Sequence, residues 1–170
     1  MCGIVGYVGA WNAAPVLLSG LSRLEYRGYD SAGIAVSDLR DGENRIEILK
    51  AKGRLQALKE MTDNGKAVSG TCGIGHTRWA THGEPSVANA HPHCSKDKRI
   101  VVVHNGIIEN YKELKEYLQK KGFVFLSETD TEVVAHLLDY YYKGNPLEAI
   151  ARALGRIRGS YALGILFKDQ

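Results

Sequence analysis

A thiol stands one residue in from the first methionine, in the run Met1-Cys2-Gly3-Ile4-Val5-Gly6. Aminopeptidases remove a methionine that precedes a residue as small as cysteine, and with Met1 gone Cys2 combines a nucleophile and a base in one residue. Its sulfur can attack a carbonyl carbon. Its own α-amine, of ordinary pKa about 8, can take and return the proton that such an attack requires. The same six residues also fit an inert cysteine opening a buried edge strand, so the choice depends on what the rest of the chain brings to it.

Three further clusters carry chemistry. In His76-Thr77-Arg78-Trp79-Ala80-Thr81-His82-Gly83-Glu84-Pro85 a planar guanidinium neighbours a hydroxyl and an imidazole, a set able to hold a carboxylate by paired hydrogen bonds. A solvated surface arginine and a half-exposed tryptophan anchor are the plainer readings of Arg78 and Trp79. Asn105-Gly106 offers a side-chain amide beside an unhindered backbone N–H. That pair suits an oxyanion hole, although an ordinary turn has the same sequence. Asp130, expected in the first turn of a helix, has the charge to meet an ammonium, or simply a helix dipole. A metal site is the competing use of Cys72, His76, His82, His91, His93 and Cys94. Their spacing disfavours it: there is no Cys-x-x-Cys, and His91-Pro92-His93 is stiff.

The elements that must aim these groups are legible from periodicity. Gly3 to Gly9 reads as a strand, and Ala14, Leu17, Leu18, Leu21 and Leu24 recur at helical spacing. Ala32 to Val36 and Ile46 to Leu49, separated by Asp41-Gly42, predict a hairpin. Leu55, Leu58 and Met61 mark a short helix closed by Asn64-Gly65, and Cys72 to His76 another strand. Thr77 to Ser95 has no periodicity and reads as a functional loop. Ile100 to Val103 predicts a central strand running into His104-Asn105-Gly106. Beyond it we expect a helix capped by Asn110 with Glu113, a short strand over Phe123 to Leu126, and a capping box at Thr129-Asp130-Thr131-Glu132 ahead of a second helix. A third helix opens on Asn145-Pro146, and Ser160 to Phe167 closes the chain as a strand.

The 170 residues carry 22 basic and 19 acidic side chains, a net charge of +3 spread without a basic block, so nucleic acid and membrane surfaces are not expected partners. No apolar run reaches the ~20 residues of a membrane span, and no signal peptide is evident; a cytoplasmic location is the expectation. Three cysteines at unrelated spacings fit a reducing compartment.

Taken together, Cys2-Gly3-Ile4-Val5-Gly6, Tyr26-Arg27-Gly28-Tyr29-Asp30-Ser31-Ala32-Gly33, the block from His76 to Pro85, Asn89-Ala90-His91-Pro92-His93, His104-Asn105-Gly106 and Glu128-Thr129-Asp130-Thr131-Glu132 closely resemble the glutaminase domain of the glucosamine-6-phosphate synthase family. These are class II glutamine amidotransferases of the N-terminal nucleophile type. The resemblance spans nearly the whole chain. It implies an α+β fold, a four-layer αββα sandwich, here C-terminally truncated, with residues 1–170 an incomplete glutaminase domain and the synthase/isomerase domain absent. It implies Cys2 as nucleophile toward L-glutamine, with Asn105 and the Gly106 N–H as the oxyanion hole. Arg78, Thr81 and His82 would hold the α-carboxylate, and Asp130 with the Gly106 carbonyl the α-ammonium. Trp79 would gate an ammonia path to the sugar-phosphate isomerase domain, and Arg27 would lie near the site. No metal or organic cofactor is implied, and a homo-oligomer is compatible with it. Two alternatives stay open: a catalytically silent module that keeps the glutamine pocket, and the glutaminase half of another class II amidotransferase.

Overall fold

In the computed structural model, which describes residues 2–40, 42–79 and 83–169, strand residues alternate between two buried faces, and that alternation builds the layers. The elements in order are β1 (Gly3–Val8), α1 (Ala13–Leu24), a 3-10 turn (Glu25–Arg27), β2 (Ser31–Arg40), β3 (Glu43–Lys52), α2 (Leu55–Met61), β4 (Cys72–Arg78), β5 (His93–Cys94), β6 (Ile100–Ile108), α3 (Tyr111–Lys120), α4 (Glu132–Tyr141), α5 (Pro146–Leu154) and β7 (Gly159–Phe167). They form one sheet of order β1-β4-β2-β3 and a second of order β5-β6-β7, with antiparallel pairing throughout.

Along β2, Ala32, Ile34 and Val36 pack against Leu17, Leu18 and Leu21 of α1 and Leu55 and Leu58 of α2, while Ala35 turns the other way. It joins Ile74, Val101, Val103 and Leu166 between the two sheets. Along β6 the partition repeats: Val101 and Val103 face the first sheet, and Ile100, Val102 and Ile108 face Leu114, Leu118, Val133, Val134, Leu137 and Leu138 of α3 and α4. Each such fully buried Leu, Ile or Val removes enough apolar surface from water to favour folding by about 1.5–3 kcal/mol. The result is the expected α+β sandwich of helices, sheet, sheet, helices.

Several local expectations are corrected. Asn110 does not cap α3 with its side chain; its amide nitrogen donates to the Arg156 carbonyl at 2.9 Å and its oxygen accepts from the Arg158 N–H at 2.9 Å, tying the start of α3 to the approach to β7. Phe123 to Leu126 is not a strand. The N–H groups of Leu126 and Ser127 donate to the Glu132 carboxylate at 2.8 and 2.7 Å, so a side chain takes the bonds that a neighbouring strand would. The capping box is absent as well: α4 starts later, after Thr131, which makes no capping bond, while Thr129 Oγ1 meets His93 and Glu132 turns back to Leu126 and Ser127. Asp130 precedes α4 rather than lying in its first turn. Within the stretch from Thr77 to Ser95, Thr77 and Arg78 finish β4, and His93 and Cys94 form β5. The hairpin, the central position of β6 and the Asn145 cap of α5, whose oxygen accepts from the Glu148 N–H at 3.2 Å, follow the sequence. Of the hairpin turn, Asp41 lies outside the described residues.

Candidate active site

The ladder between β1 and β4 pairs Gly3 with Thr77, so the residue before β1 meets the residues that end β4. Cys2 Sγ accepts from the Trp79 N–H at 3.2 Å and sits 3.5 Å from the Trp79 carbonyl oxygen. The second sheet reaches the same point through β6. Asn105 Nδ2 donates to the Cys2 carbonyl at 3.0 Å, a bond spanning both sheets. Cys2, Arg27, Arg78, Trp79, Asn105, Gly106 and Asp130 line one cleft of about 410 Å3, within the ordinary range for a small-molecule site.

Arg78 is buried, not the solvated surface arginine that its residue type favours. It is 3% exposed, and its Nη2 donates to the Gly83 carbonyl at 2.9 Å. Its backbone is held as closely: a Cβ on Gly28 would stand 2.7 Å from the Arg78 carbonyl carbon, so a glycine is what lets the Tyr26–Gly28 turn lie against it. The loop that receives the guanidinium is pinned by Asn89. Its amide nitrogen donates to the Glu84 carbonyl at 3.0 Å and to Glu128 Oε2 at 3.1 Å, and its oxygen accepts from the Glu128 N–H at 2.9 Å. Thr81 and His82, the other expected carboxylate ligands, lie outside the described residues.

Asp130 is buried too and lines the same cleft, and its Oδ2 accepts from the Ile108 N–H at 2.8 Å. Gly106 adopts φ +126°, and a Cβ there would stand 2.0 Å from the Ser160 carbonyl oxygen, so β6 tolerates only glycine beside Asn105. Trp79 lines the cleft and is 47% exposed, its ring edge-on to Tyr29 at 5.4 Å. Arg27 ends the 3-10 turn and lies over the Tyr26 ring, 5.8 Å from its centroid.

Four histidines that the sequence offered as metal ligands or as motif text cluster behind the cleft, which His91 and His104 line. His76 and His91 stack at 4.1 Å, and His93 meets His91 edge-on at 4.8 Å. The His104 N–H donates to His91 Nδ1 at 3.2 Å. Thr131 Oγ1 lies 2.8 Å from His104 Nδ1, and Thr129 Oγ1 lies 3.0 Å from His93 Nε2. These threonines dock the start of α4, and Asp130 between them, onto the second sheet. Burial keeps the imidazoles neutral: it lowers His76 to about 4 and His93 to about 3, drives His91 well below its usual range, and lowers His104 against the pull of Asp130. Among the described residues, no group of three or more His, Cys, Asp or Glu side chains is placed to hold a metal ion, and no helix is long and apolar enough to cross a membrane. The roles of Thr129 and Thr131 went unrecognised in sequence; polar residues before an otherwise apolar helix were the available sign.

A thiol, an amide donor, a buried guanidinium and a buried carboxylate around one cleft can bind a zwitterion by both charged ends and attack a carbonyl between them. Residues 76–170 match the family described as a glutamine amidotransferase domain. The chain is 62% identical over 169 residues to the glutamine–fructose-6-phosphate aminotransferase (isomerizing) of Caldanaerobacter subterraneus subsp. tengcongensis, covering 99% of this chain and 27% of that protein. It is 58% identical over 170 residues to a Thermus thermophilus protein of the same name, again covering 99% of this chain and 27% of that protein. The chain thus spans about a quarter of the length of the curated relatives it matches. Among solved structures it is similar to the glutamine phosphoribosylpyrophosphate amidotransferase of B. subtilis complexed with ADP and GMP. The TM-score is 0.83 at 28% identity, covering 99% of this chain and 35% of that one. A structure of the allosteric regulatory enzyme of purine biosynthesis gives 0.81 at 30% identity, covering 99% and 36%.

Proposed function

This chain belongs to the glutamine amidotransferase domain family, and from that premise we propose that it hydrolyses L-glutamine to L-glutamate and ammonia through a thioester on Cys2. The reading needs Met1 removed. The Cys2 thiol then passes its proton to its own α-amine as sulfur bonds to the side-chain amide carbon of glutamine. Negative charge moves to the amide oxygen, where Asn105 Nδ2 and the Gly106 N–H donate. The amine returns the proton to the departing nitrogen, which leaves as ammonia. Water attacks the thioester, its proton goes to the same amine, and the thiolate departs and is reprotonated as glutamate forms. Arg78, with Thr81 and His82, holds the α-carboxylate; Asp130 and the Gly106 carbonyl hold the α-ammonium. Reading both charged ends favours the free amino acid over a peptide.

The observation that carries the reading is the 3.0 Å bond from Asn105 Nδ2 to the Cys2 carbonyl. One hydrogen of that amide fixes the nucleophile's backbone and the other is left for an oxyanion at the cleft.

We further propose that residues 1–170 are the glutaminase part of a longer cytoplasmic enzyme. Its sugar-phosphate isomerase domain would take the ammonia to make glucosamine 6-phosphate from fructose 6-phosphate, a reading supported by relatives named as isomerizing glutamine–fructose-6-phosphate aminotransferases. The exposed Trp79 ring would gate that transfer. The test is glutamate release by protein whose Cys2 terminus is verified by mass. Activity is expected there and absent from Cys2→Ala and from protein retaining Met1; no glutamate from the verified protein overturns the reading.

A further inference from the structure

The geometry points to His76 as a positioning residue that fixes which way the Asn105 amide faces, and so aims the oxyanion donor. This rests on the glutaminase reading above and assigns His76 no contact with substrate. A side-chain amide has nearly the same shape when turned over, and only its neighbours distinguish oxygen from nitrogen. Here two carbonyls, which can only accept, decide the matter from both ends. The Cys2 carbonyl lies 3.0 Å from one amide atom of Asn105, which must therefore be Nδ2. At the other end His76 Nε2 lies 2.8 Å from Asn105 Oδ1 and 3.1 Å from the His104 carbonyl oxygen. Facing that carbonyl, His76 must carry its proton on Nε2, and one N–H serves both oxygens.

Turning the amide over would set Oδ1 against the Cys2 carbonyl. It would also require a bare Nε2, whose lone pair would face the His104 carbonyl. Two repulsive contacts would replace two hydrogen bonds.

The ring that imposes this is itself held. His76 is 1% exposed and stacks on His91 at 4.1 Å with the planes 15° apart. His91 Nδ1 accepts from the His104 N–H, so His91 carries its own proton on Nε2, toward Thr131 Oγ1 at 3.4 Å. His76 Nδ1 has no hydrogen-bond partner among the described residues, which suits a bare ring nitrogen and a neutral ring.

The test uses protein beginning at Cys2. His76→Leu removes the donor and is expected to lower kcat about 10²-fold with KM for glutamine changed less than about threefold, as for the loss of an oxyanion donor. His76→Gln, whose amide reaches the Nε2 position, should recover most of that loss. In an Asn105→Ala background, His76→Leu should cost less than about threefold more, because the group it orients has gone. An equal loss in both backgrounds, or a loss confined to KM, overturns the proposal. Nitrogen-15 NMR of the wild-type imidazoles decides separately: a protonated Nε2 on His76 near pH 7 supports the assignment, and a protonated Nδ1 refutes it. If wild-type protein releases no glutamate, the glutaminase reading fails, while the tautomer still decides whether His76 orients Asn105.

Discussion

Gly106→Ala adds one methyl group where the backbone leaves no space for it. At φ +126° an L side chain is strained, and its Cβ would stand 2.0 Å from the Ser160 carbonyl oxygen and 3.0 Å from the Tyr161 Cα. Widening the first contact to 3.0 Å means parting β6 from β7 by about 1 Å at the Gly106–Tyr161 pair. Backbone strain of this kind costs about 1–3 kcal/mol. One or two ladder hydrogen bonds, weakened at about 0.5–1.5 kcal/mol each, bring the expected loss to about 1.5–6 kcal/mol. The same displacement moves the proposed second oxyanion donor by about 1 Å, a shift of the size that costs about 10²-fold in rate. Urea unfolding and glutaminase kcat, measured on protein beginning at Cys2, read the two effects. A variant within about 0.5 kcal/mol of wild type and with kcat within about threefold would refute the close approach of β7 and the role given to this N–H.

Asp130→Asn and Arg78→Lys each remove one of the charged or forked contacts proposed for an end of glutamine. Each should raise KM by about 10–100-fold with little change in kcat, since a hydrogen bond to a charged group contributes about 1.5–3 kcal/mol; steady-state kinetics showing a pure kcat loss would contradict the assignment. Glu132→Gln should destabilise the fold by about 2–3 kcal/mol in urea unfolding, because one of the Leu126 and Ser127 N–H groups would then face an NH2 group. Stability should also fall in acid. His76, held at about 4 against an ordinary 6.5, stays neutral in the folded protein while the unfolded chain takes up a proton. Its contribution is therefore complete above pH 6.5 and lost as pH falls toward 4, by about 3 kcal/mol. Burial tends to raise Glu132, but the His136 ring, Ser127 and two backbone amides outweigh it and hold the carboxyl at about 2. Its contribution is present above the ordinary 4.5 and is lost below it. A urea midpoint that stays flat from pH 7 down to pH 4.5 would contradict this account.

The elements were legible wherever one face of the chain decides its structure. Continuous apolar runs over Ala32–Val36 and Ile100–Val103, and helical spacing along Leu17–Leu24, depend on burial that a short window of sequence reveals. The cap that sequence identified correctly, Asn145, bonds three residues away. The caps it misplaced belong to residues engaged far along the chain: Asn110 is taken by Arg156 and Arg158, and Thr129 by His93. The carboxyl-rich start of α4 read as a capping box because the window could not show Glu132 turning back to Leu126 and Ser127. The proposed site was legible as residue types at element ends, and Cys2, Arg78, Asn105 and Asp130 do line one cleft. The buried histidine cluster was not, because only the meeting of β4, β6 and the His91–His93 segment stacks His76 on His91 and sets it against Asn105.

The central claim is that Cys2 is the thiol that reacts with glutamine. Protein beginning at Cys2 should be treated with an electrophilic glutamine analogue, with and without excess glutamine, and the adduct located by peptide mass. The account predicts one adduct per chain, on Cys2, suppressed by glutamine, with Cys72 and Cys94 unmodified. Labelling of Cys72 or Cys94 with Cys2 untouched, or labelling that glutamine does not slow, would contradict it.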